Sequence, residues 1–320
     1  MLPFLEAIHP ELERVNDTVI KRLHSDEPLV EDIGHHLIQA GGKRLRPILV
    51  LLSAKALNYS EDKHIELAAV IEFIHTATLL HDDVVDVSAL RRGLPTANEK
   101  WGNAPSVLVG DFLYSRAFQM MVNIGSMEIM HILSNTTNVI AEGEVQQLAN
   151  ARNPNLTEDQ YFSVIYKKTA ALFEAASMCG ASISNASESH TRHLKAYGYH
   201  LGLAFQLMDD LLDYDGDSAL LGKNVGDDLA EGKATLPIIR TLTKANEQES
   251  ATISEAITNA DATSLSKIIE LVHKYDGLSY TKELAKKHAY TAIDHSKALP
   301  ESEWRQCLVQ IAEFAIERAH

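Results

Sequence analysis

In cysteine, in long apolar runs and in positive charge this sequence is poor, and each shortage excludes something. The only two cysteines, Cys179 and Cys307, lie far apart in apolar, helix-like contexts, so no disulfide framework is available. They read as reduced core thiols, as in a cytoplasmic protein. No segment supplies the ~20 apolar residues of a membrane-spanning helix. The start, Met1-Leu2-Pro3-Phe4-Leu5-Glu6, lacks the basic residues and apolar centre of a signal peptide. With 29 Lys+Arg against 44 Asp+Glu the net charge is −15, which would repel a phosphate backbone, so no nucleic-acid partner is expected. No Ser/Gly/Pro-rich tract, charge block or short repeat divides the chain, and residues 1–320 read as one continuous domain. Nor does any stretch alternate apolar and polar residues long enough to propose a sheet.

What remains is helix. Leu12, Val15, Val19 and Leu23 recur at spacings of three and four, as do Leu265, Ile268, Ile269 and Val272, marking faces for a core or a second subunit. Leu45 to Leu52 is apolar nearly all round after Pro47, and so is Ile71 to Leu80, which marks helices buried in the molecule. Breaks fall at Gly41-Gly42, at Arg92-Gly93-Leu94-Pro95, at Asn153-Pro154-Asn155 before a Thr157/Gln160 capping box, around Gly216 to Gly226, and at Leu299-Pro300. The expected fold is all-α, a single large helical bundle with a central active-site cavity built from facing helices.

Two aspartate clusters carry the chemistry: Asp82-Asp83-Val84-Val85-Asp86 and Asp209-Asp210-Leu211-Leu212-Asp213. On a helix, residues four apart share a face with Cβ atoms about 5–6 Å apart, so Asp82/Asp86 and Asp209/Asp213 each present two carboxylates together. Such pairs suit magnesium, which takes carboxylate oxygens, phosphate oxygens and water. Asp83 and Asp210 are rotated off that face by about 100° and rank as weaker ligands. Basic groups stand nearby. Gly41-Gly42-Lys43-Arg44-Leu45-Arg46-Pro47 puts three cations at a helix start, where backbone N–H groups and the dipole favour an anion without metal. Arg91 and Arg92 offer guanidinium forks for phosphate. His75 precedes Asp82 on the same apolar helix. Later come Lys167-Lys168-Thr169, Gln206 three residues before Asp209, and Lys223 and Lys233 flanking Asp227-Asp228. Together these describe a site that binds two diphosphates and expels one.

These motifs resemble those of the trans-isoprenyl diphosphate synthases, or polyprenyl synthetases, through nearly the whole chain. Gly41 to Pro47, His81-Asp82-Asp83-Val84-Val85-Asp86 through Arg91-Arg92-Gly93, Phe205-Gln206-Leu207-Met208-Asp209-Asp210-Leu211-Leu212-Asp213, Gly222-Lys223 and Gly232-Lys233-Ala234-Thr235-Leu236-Pro237 each match a family element. Val109 to Met121 and Val139 to Val145 are most similar to the long-chain bacterial branch. The resemblance implies a homodimeric prenyltransferase with three magnesium ions per site once substrate is bound. Asp82 and Asp86 would hold two of them on the allylic diphosphate, and Asp209, supported by Asp213, the third. Arg91 would contact the allylic diphosphate, while Lys43, Arg46, His75 and Arg92 would bind isopentenyl diphosphate. Lys168, Lys223 and Lys233 would stabilise the departing diphosphate, with Thr169 and the Gln206 amide oxygen facing the allylic cation.

The implied reaction joins isopentenyl diphosphate to an allylic primer, farnesyl diphosphate first among geranyl, farnesyl and geranylgeranyl, by ionisation, condensation and loss of a proton. The expected product is octaprenyl diphosphate for a quinone side chain, within a range from hexaprenyl to decaprenyl. Product length is read from Ala77 and Thr78, five and four residues before Asp82, which are small where short-chain members carry aromatic stoppers. Met120, Met121 and Leu133 are deeper candidates for a floor. The alternatives are a synthase of another product length, down to geranylgeranyl, or a non-catalytic subunit of a heteromeric synthase. A terpene cyclase would have no use for the Lys43/Arg46/Arg92 pocket, and a di-iron bundle would need Glu-x-x-His pairs that the sequence lacks.

Overall fold

Apolar residues at helical spacing, broken by a few glycine- and proline-bearing turns, leave the backbone little alternative to helix. The computed structural model describes residues 3–39, 41–215 and 225–317. Its helices are α1 (Pro3–Leu23), α2 (Pro28–Gln39), α3 (Leu45–Ala56), α4 (Lys63–Val85), α5 (Ala97–Trp101), α6 (Asn103–Ile124), α7 (Met127–Asn150) and α8 (Glu158–Ile165). A π-helical turn, Tyr166–Ala170, leads into α9 (Ala171–Ile183) and α10 (Glu188–Asp215). Then follow α11 (Asp227–Ala230), α12 (Leu236–Leu242), α13 (Glu247–Asn259), α14 (Leu265–Lys274), α15 (Gly277–Ser296) and α16 (Glu303–Glu317). The fold is all-α, as the periodicity predicts. Among the described residues the only sheet is a hairpin of β1 (Leu90–Arg91) and β2 (Leu94–Pro95). The described chain falls into two units, one from Met1–Thr137, Leu172–Gly198 and Ile293–Ile311, the other from Asn138–Ala171, Tyr199–Ala292 and Ala312–His320.

In the first unit α4 is the central helix, packed against α1, α3 and α6. The two all-apolar runs explain this position: Ile48 to Leu52 on α3 and Ile71 and Ile74 on α4 are all 0% exposed. Each large aliphatic side chain removed from water contributes roughly 1.5–3 kcal/mol. The face of α1 offered above as core or subunit surface is core. Val15, Val19 and Leu23 are buried within this unit, while Leu12 is half-buried and Ile20 is exposed. Cys179 and Cys307 are buried free thiols, and burial raises both above the ordinary thiol range.

The second unit is built around α10, whose Leu207, Met208 and Leu211 pack with Leu236 and Ile238 of α12, Ile253 and Ile257 of α13, and Ile268 and Val272 of α14. The anticipated capping box forms at α8: Thr157 Oγ1 accepts the Gln160 N–H at 3.2 Å and Gln160 Oε1 accepts the Thr157 N–H at 3.0 Å. Among the described residues no helix is long and apolar enough to cross a membrane.

One contact tests the packing. Gly180 of α9 lies so close to α3 that an added Cβ would sit 2.5 Å from Ser53 Cβ and 2.8 Å from the Val50 carbonyl oxygen. Gly180→Val should therefore lower the melting temperature, at a cost of about 1–3 kcal/mol. An unchanged melting curve would contradict the α3–α9 approach.

Candidate active site

The first aspartate cluster sits where α4 ends. Asp82 is in the last turn and Asp86 is the C-cap, its N–H donating to the Asp82 carbonyl at 2.8 Å, so the four-residue register between them is kept. Asp83 turns inward. It is fully buried and held by a guanidinium fork, with Arg91 Nε donating to Oδ1 at 2.9 Å and to Oδ2 at 3.1 Å, and Arg91 Nη2 to Oδ1 at 2.6 Å. One edge of Arg91, expected on a diphosphate, is thus turned to Asp83. The Arg92-Gly93 turn is a two-residue hairpin loop with φ of 54° and 77°, so both central residues are left-handed, as a type I′ turn requires.

That turn carries Arg92 to Gly42. A Cβ on Gly42 would lie 2.4 Å from Arg92 Nη1, so only glycine allows the guanidinium to approach this backbone. Beyond Gly42, Arg44 is left-handed at the N-cap of α3 and its side chain is taken by the buried carboxylate of Glu72. Arg46, in the first turn of α3, lies over the Phe173 ring at 4.5 Å, and its Nη1 is 3.2 Å from His75 Nε2. Since a guanidinium only donates, His75 accepts there and is neutral at that nitrogen. Burial, then the charges of Arg46, Arg92, Arg91 and Arg44, hold its imidazole well below the ordinary histidine range. Arg46 and His75 are therefore in contact in the first unit, with Arg92 near enough to bear on the imidazole and Lys43 next in sequence to the Gly42 that Arg92 approaches.

Ala77 follows His75 on α4 and is fully buried, while Thr78 is half-buried with its hydroxyl donating to the His75 carbonyl at 2.8 Å. Met120 and Met121 of α6 and Leu133 of α7 are buried in the same unit.

The second unit gathers the other candidates. The π turn Tyr166–Ala170 inserts an extra residue between α8 and α9 and re-aims Lys168 and Thr169. Lys168 donates to Glu144 Oε2 at 2.8 Å. Gly143 lets α7 approach this turn, because a Cβ there would be 2.6 Å from Lys167 Cβ. Thr169 Oγ1 donates to Gln206 Oε1 at 2.7 Å, Gln206 Nε2 donates to Asp210 Oδ1 at 2.7 Å, and Tyr161 Oη donates to Asp210 Oδ2 at 2.5 Å. Burial and neighbouring Asp228 raise the Asp210 carboxyl. Asp213 is fully buried, with Oδ2 accepting the Asp228 N–H at 3.3 Å, whereas Asp209 is only half-buried. Asp209 is thus the least buried carboxylate of this cluster. Lys233 follows the left-handed Gly232 and pairs with Glu231. Lys223 lies outside the described residues.

Three supporting residues were not among the sequence candidates: Glu72, Glu144 and Tyr161. An acid inside the apolar run Ile71-Glu72-Phe73-Ile74 was a readable signal, since a buried carboxylate needs a partner. Tyr161, two helical turns before Lys168, carried none.

The residues fit a hard divalent cation. Asp82 and Asp86 place carboxylates at the carboxyl end of α4, where the helix dipole disfavours anions, so a cation there relieves an existing cost. Among the described residues no cluster of three or more His, Cys, Asp or Glu makes a closed cage. The donor set suits an ion that completes its shell with phosphate and water.

Comparison with known proteins gives the lineage. The family model for polyprenyl synthetase matches residues 27–274. The chain belongs to the polyprenyl synthetase family. It is a prenyltransferase, and membership agrees with the fold and the motif reading above. Among its relatives, octaprenyl diphosphate synthase of Escherichia coli is 45% identical over 314 residues, 98% of this chain and 97% of that one. A decaprenyl diphosphate synthase structure from Rhodobacter capsulatus superposes with a TM-score of 0.94 at 46% identity, covering 99% of this chain and 98% of that one. A polyprenyl synthase from Caulobacter crescentus, complexed with calcium and isoprenyl diphosphate, gives a TM-score of 0.96 at 42% identity, covering 99% and 97%.

The depressed His75 has a measurable consequence. Its unfolded pKa is near 6.5 and its folded one lies lower, so the unfolded chain takes up the proton first and stability falls as pH drops below about 6.5. His75→Gln should flatten that acid-side loss in denaturant melts taken from pH 7 to pH 5. Equal slopes for the two proteins would show that His75 is not held neutral by the fold.

Proposed function

We propose that the chain is a long-chain all-trans polyprenyl diphosphate synthase, extending an allylic diphosphate, farnesyl diphosphate first, with isopentenyl diphosphate units to an octaprenyl product. The observation that carries this reading lies in one unit: the Asp82/Asp86 pair stands apart from a cationic pocket that needs no metal, formed where Arg46 meets His75 and Arg92 meets Gly42. One diphosphate is suited to metal-bound carboxylates and the other to guanidinium forks. The reading takes both units as one catalytic domain.

Asp82, Asp86 and Asp209, with Asp213 beneath, would hold magnesium, in our reading three ions once substrate is present. Bound magnesium neutralises the allylic diphosphate and so favours loss of that group. Lys43, Arg46, His75 and Arg92 hold isopentenyl diphosphate so that its double bond is oriented for attack, converting a two-molecule encounter into a local step. The Lys168 amine, now on Glu144, and Lys233, now on Glu231, are flexible cations that can turn to the departing diphosphate. Lys223 is assigned the same task on its motif. The Thr169 hydroxyl donates its hydrogen bond to the Gln206 amide oxygen, which leaves oxygen lone pairs, not a hydrogen, to face a developing cation. Small Ala77 and Thr78 leave the tail room to extend, with Met120, Met121 and Leu133 further on. A cytoplasmic homodimer serving quinone side-chain synthesis completes the proposal. Exposed Leu108 and Val122 of α6 and Met127 of α7, at 67%, 63% and 80%, support a partner-covered face.

The test is incubation with labelled isopentenyl diphosphate, farnesyl diphosphate and magnesium, followed by chromatography of the dephosphorylated product. An octaprenyl chain is expected, chelation should stop elongation, and added magnesium should restore it. Absence of elongation overturns the enzyme reading, and a geranylgeranyl or shorter product overturns the long-chain one. Asp82→Ala and Asp209→Ala should each lower kcat by at least about a hundredfold. Ala77→Phe should shorten the product, and an unchanged length would remove Ala77 from the tail's path.

A further inference from the structure

We propose that Tyr161 is a positioning residue for this reaction, acting through Asp210 on Gln206 and through Gln206 on the Thr169 hydroxyl. The inference rests on the function proposed above and concerns one chain of three hydrogen bonds. Tyr161 donates to one oxygen of Asp210 at 2.5 Å, Gln206 donates its amide N–H to the other at 2.7 Å, and Thr169 donates to the Gln206 carbonyl at 2.7 Å. Tyr161 is 3% exposed and Asp210 is 3% exposed, so water does not substitute readily for either partner.

The chain has a direction, and that direction is its content. A glutamine amide can flip, exchanging its donor and acceptor ends at almost no cost in shape. Asp210 removes the choice. With the Tyr161 hydroxyl fixed on Oδ2, the ionised carboxylate presents Oδ1 as an acceptor, so the amide NH2 faces it and the amide oxygen faces Thr169. Thr169 must then donate. With its hydrogen given to Gln206, the Thr169 oxygen keeps lone pairs that, in the proposed function, would face positive charge. If the Gln206 amide were reversed, its NH2 would claim the Thr169 oxygen and the hydroxyl would point its hydrogen outward, which repels a cation. Tyr161 stands behind Asp210, Gln206 and Thr169, three residues back from a reacting atom, yet it holds the carboxylate that selects which end of Thr169 a cation meets. Because the effect appears only when positive charge develops, it belongs to the chemical step and not to diphosphate binding.

The experiment is a double-mutant cycle in the elongation assay. Tyr161→Phe removes one oxygen and keeps the ring. It should lower kcat by about tenfold or more while KM for each diphosphate stays within roughly twofold. In a Gln206→Ala background the same substitution should change kcat by less than about twofold, because the residue through which Tyr161 acts is gone. An unchanged kcat in Tyr161→Phe, or the same fall in both backgrounds, overturns the proposal. Should the phenylalanine variant lose its cooperative melt, Asp210→Asn goes through the same cycle, where an equal fall in both backgrounds again overturns it. Failure of the wild-type chain to elongate is a separate result and overturns the proposed function itself.

Discussion

Carboxylates at the carboxyl end of a helix set the terms for the first unit. Three acids crowd the last turn and cap of α4, where the peptide dipoles already present partial negative charge. The same acids at a helix start would be stabilised by it. Compensation comes from outside the helix. Asp83, the one that faces inward, is neutralised by the Arg91 fork, and this fixes the hairpin that carries Arg92. Asp82 and Asp86 are half-buried, and in the function proposed above they would meet cations that arrive with substrate. On α10 the pattern recurs with neutral donors in place of arginine: Asp210 is satisfied by Tyr161 and Gln206, Asp213 accepts a backbone N–H, and Asp209 is the least buried.

Close backbone approach then decides where the cations stand. Gly42 admits the Arg92 guanidinium and Gly143 admits the turn bearing Lys167 and Lys168. In both places a side chain would push a basic residue out of the place it now holds. The glycines at these points and the π turn do related work, since each trades helix regularity for the direction of one side chain.

Most of the helical architecture was legible because burial leaves a period in the sequence: the α3 and α4 runs, the α14 face and the α8 capping box all read correctly. The face of α1 was readable as apolar, but not as core over subunit contact, since that depends on what α4 offers it. The site was legible where a residue type has few other uses at that spacing, as with the aspartates and with Gly41-Gly42 ahead of three cations. It was not legible where a role depends on who reaches whom. Nothing in Leu90-Arg91-Arg92 says that the first arginine turns to Asp83 and the second to Gly42; the type I′ turn decides it. Glu144 and Tyr161 were hidden for the same reason, since their partners lie 24 and 49 residues away.

The basic pocket shows how such partnerships determine charge. Arg44, Arg46, Arg91 and Arg92 together would repel one another strongly around a neutral His75, and a pocket that positive would bind any polyanion without discrimination. Two buried acids reduce this. Glu72 takes Arg44 and Asp83 takes Arg91, each a buried ion pair whose loss would strand a charge at a cost of about 3–5 kcal/mol. The arginines consumed are those that shape the backbone, one at the left-handed N-cap of α3 and one at the start of the hairpin. Of the four guanidinium charges, two are thereby offset, and the two on Arg46 and Arg92 are those that the proposed function gives to a diphosphate. His75, whose imidazole burial and these guanidinium groups hold well below the ordinary histidine range, adds no further positive charge to them.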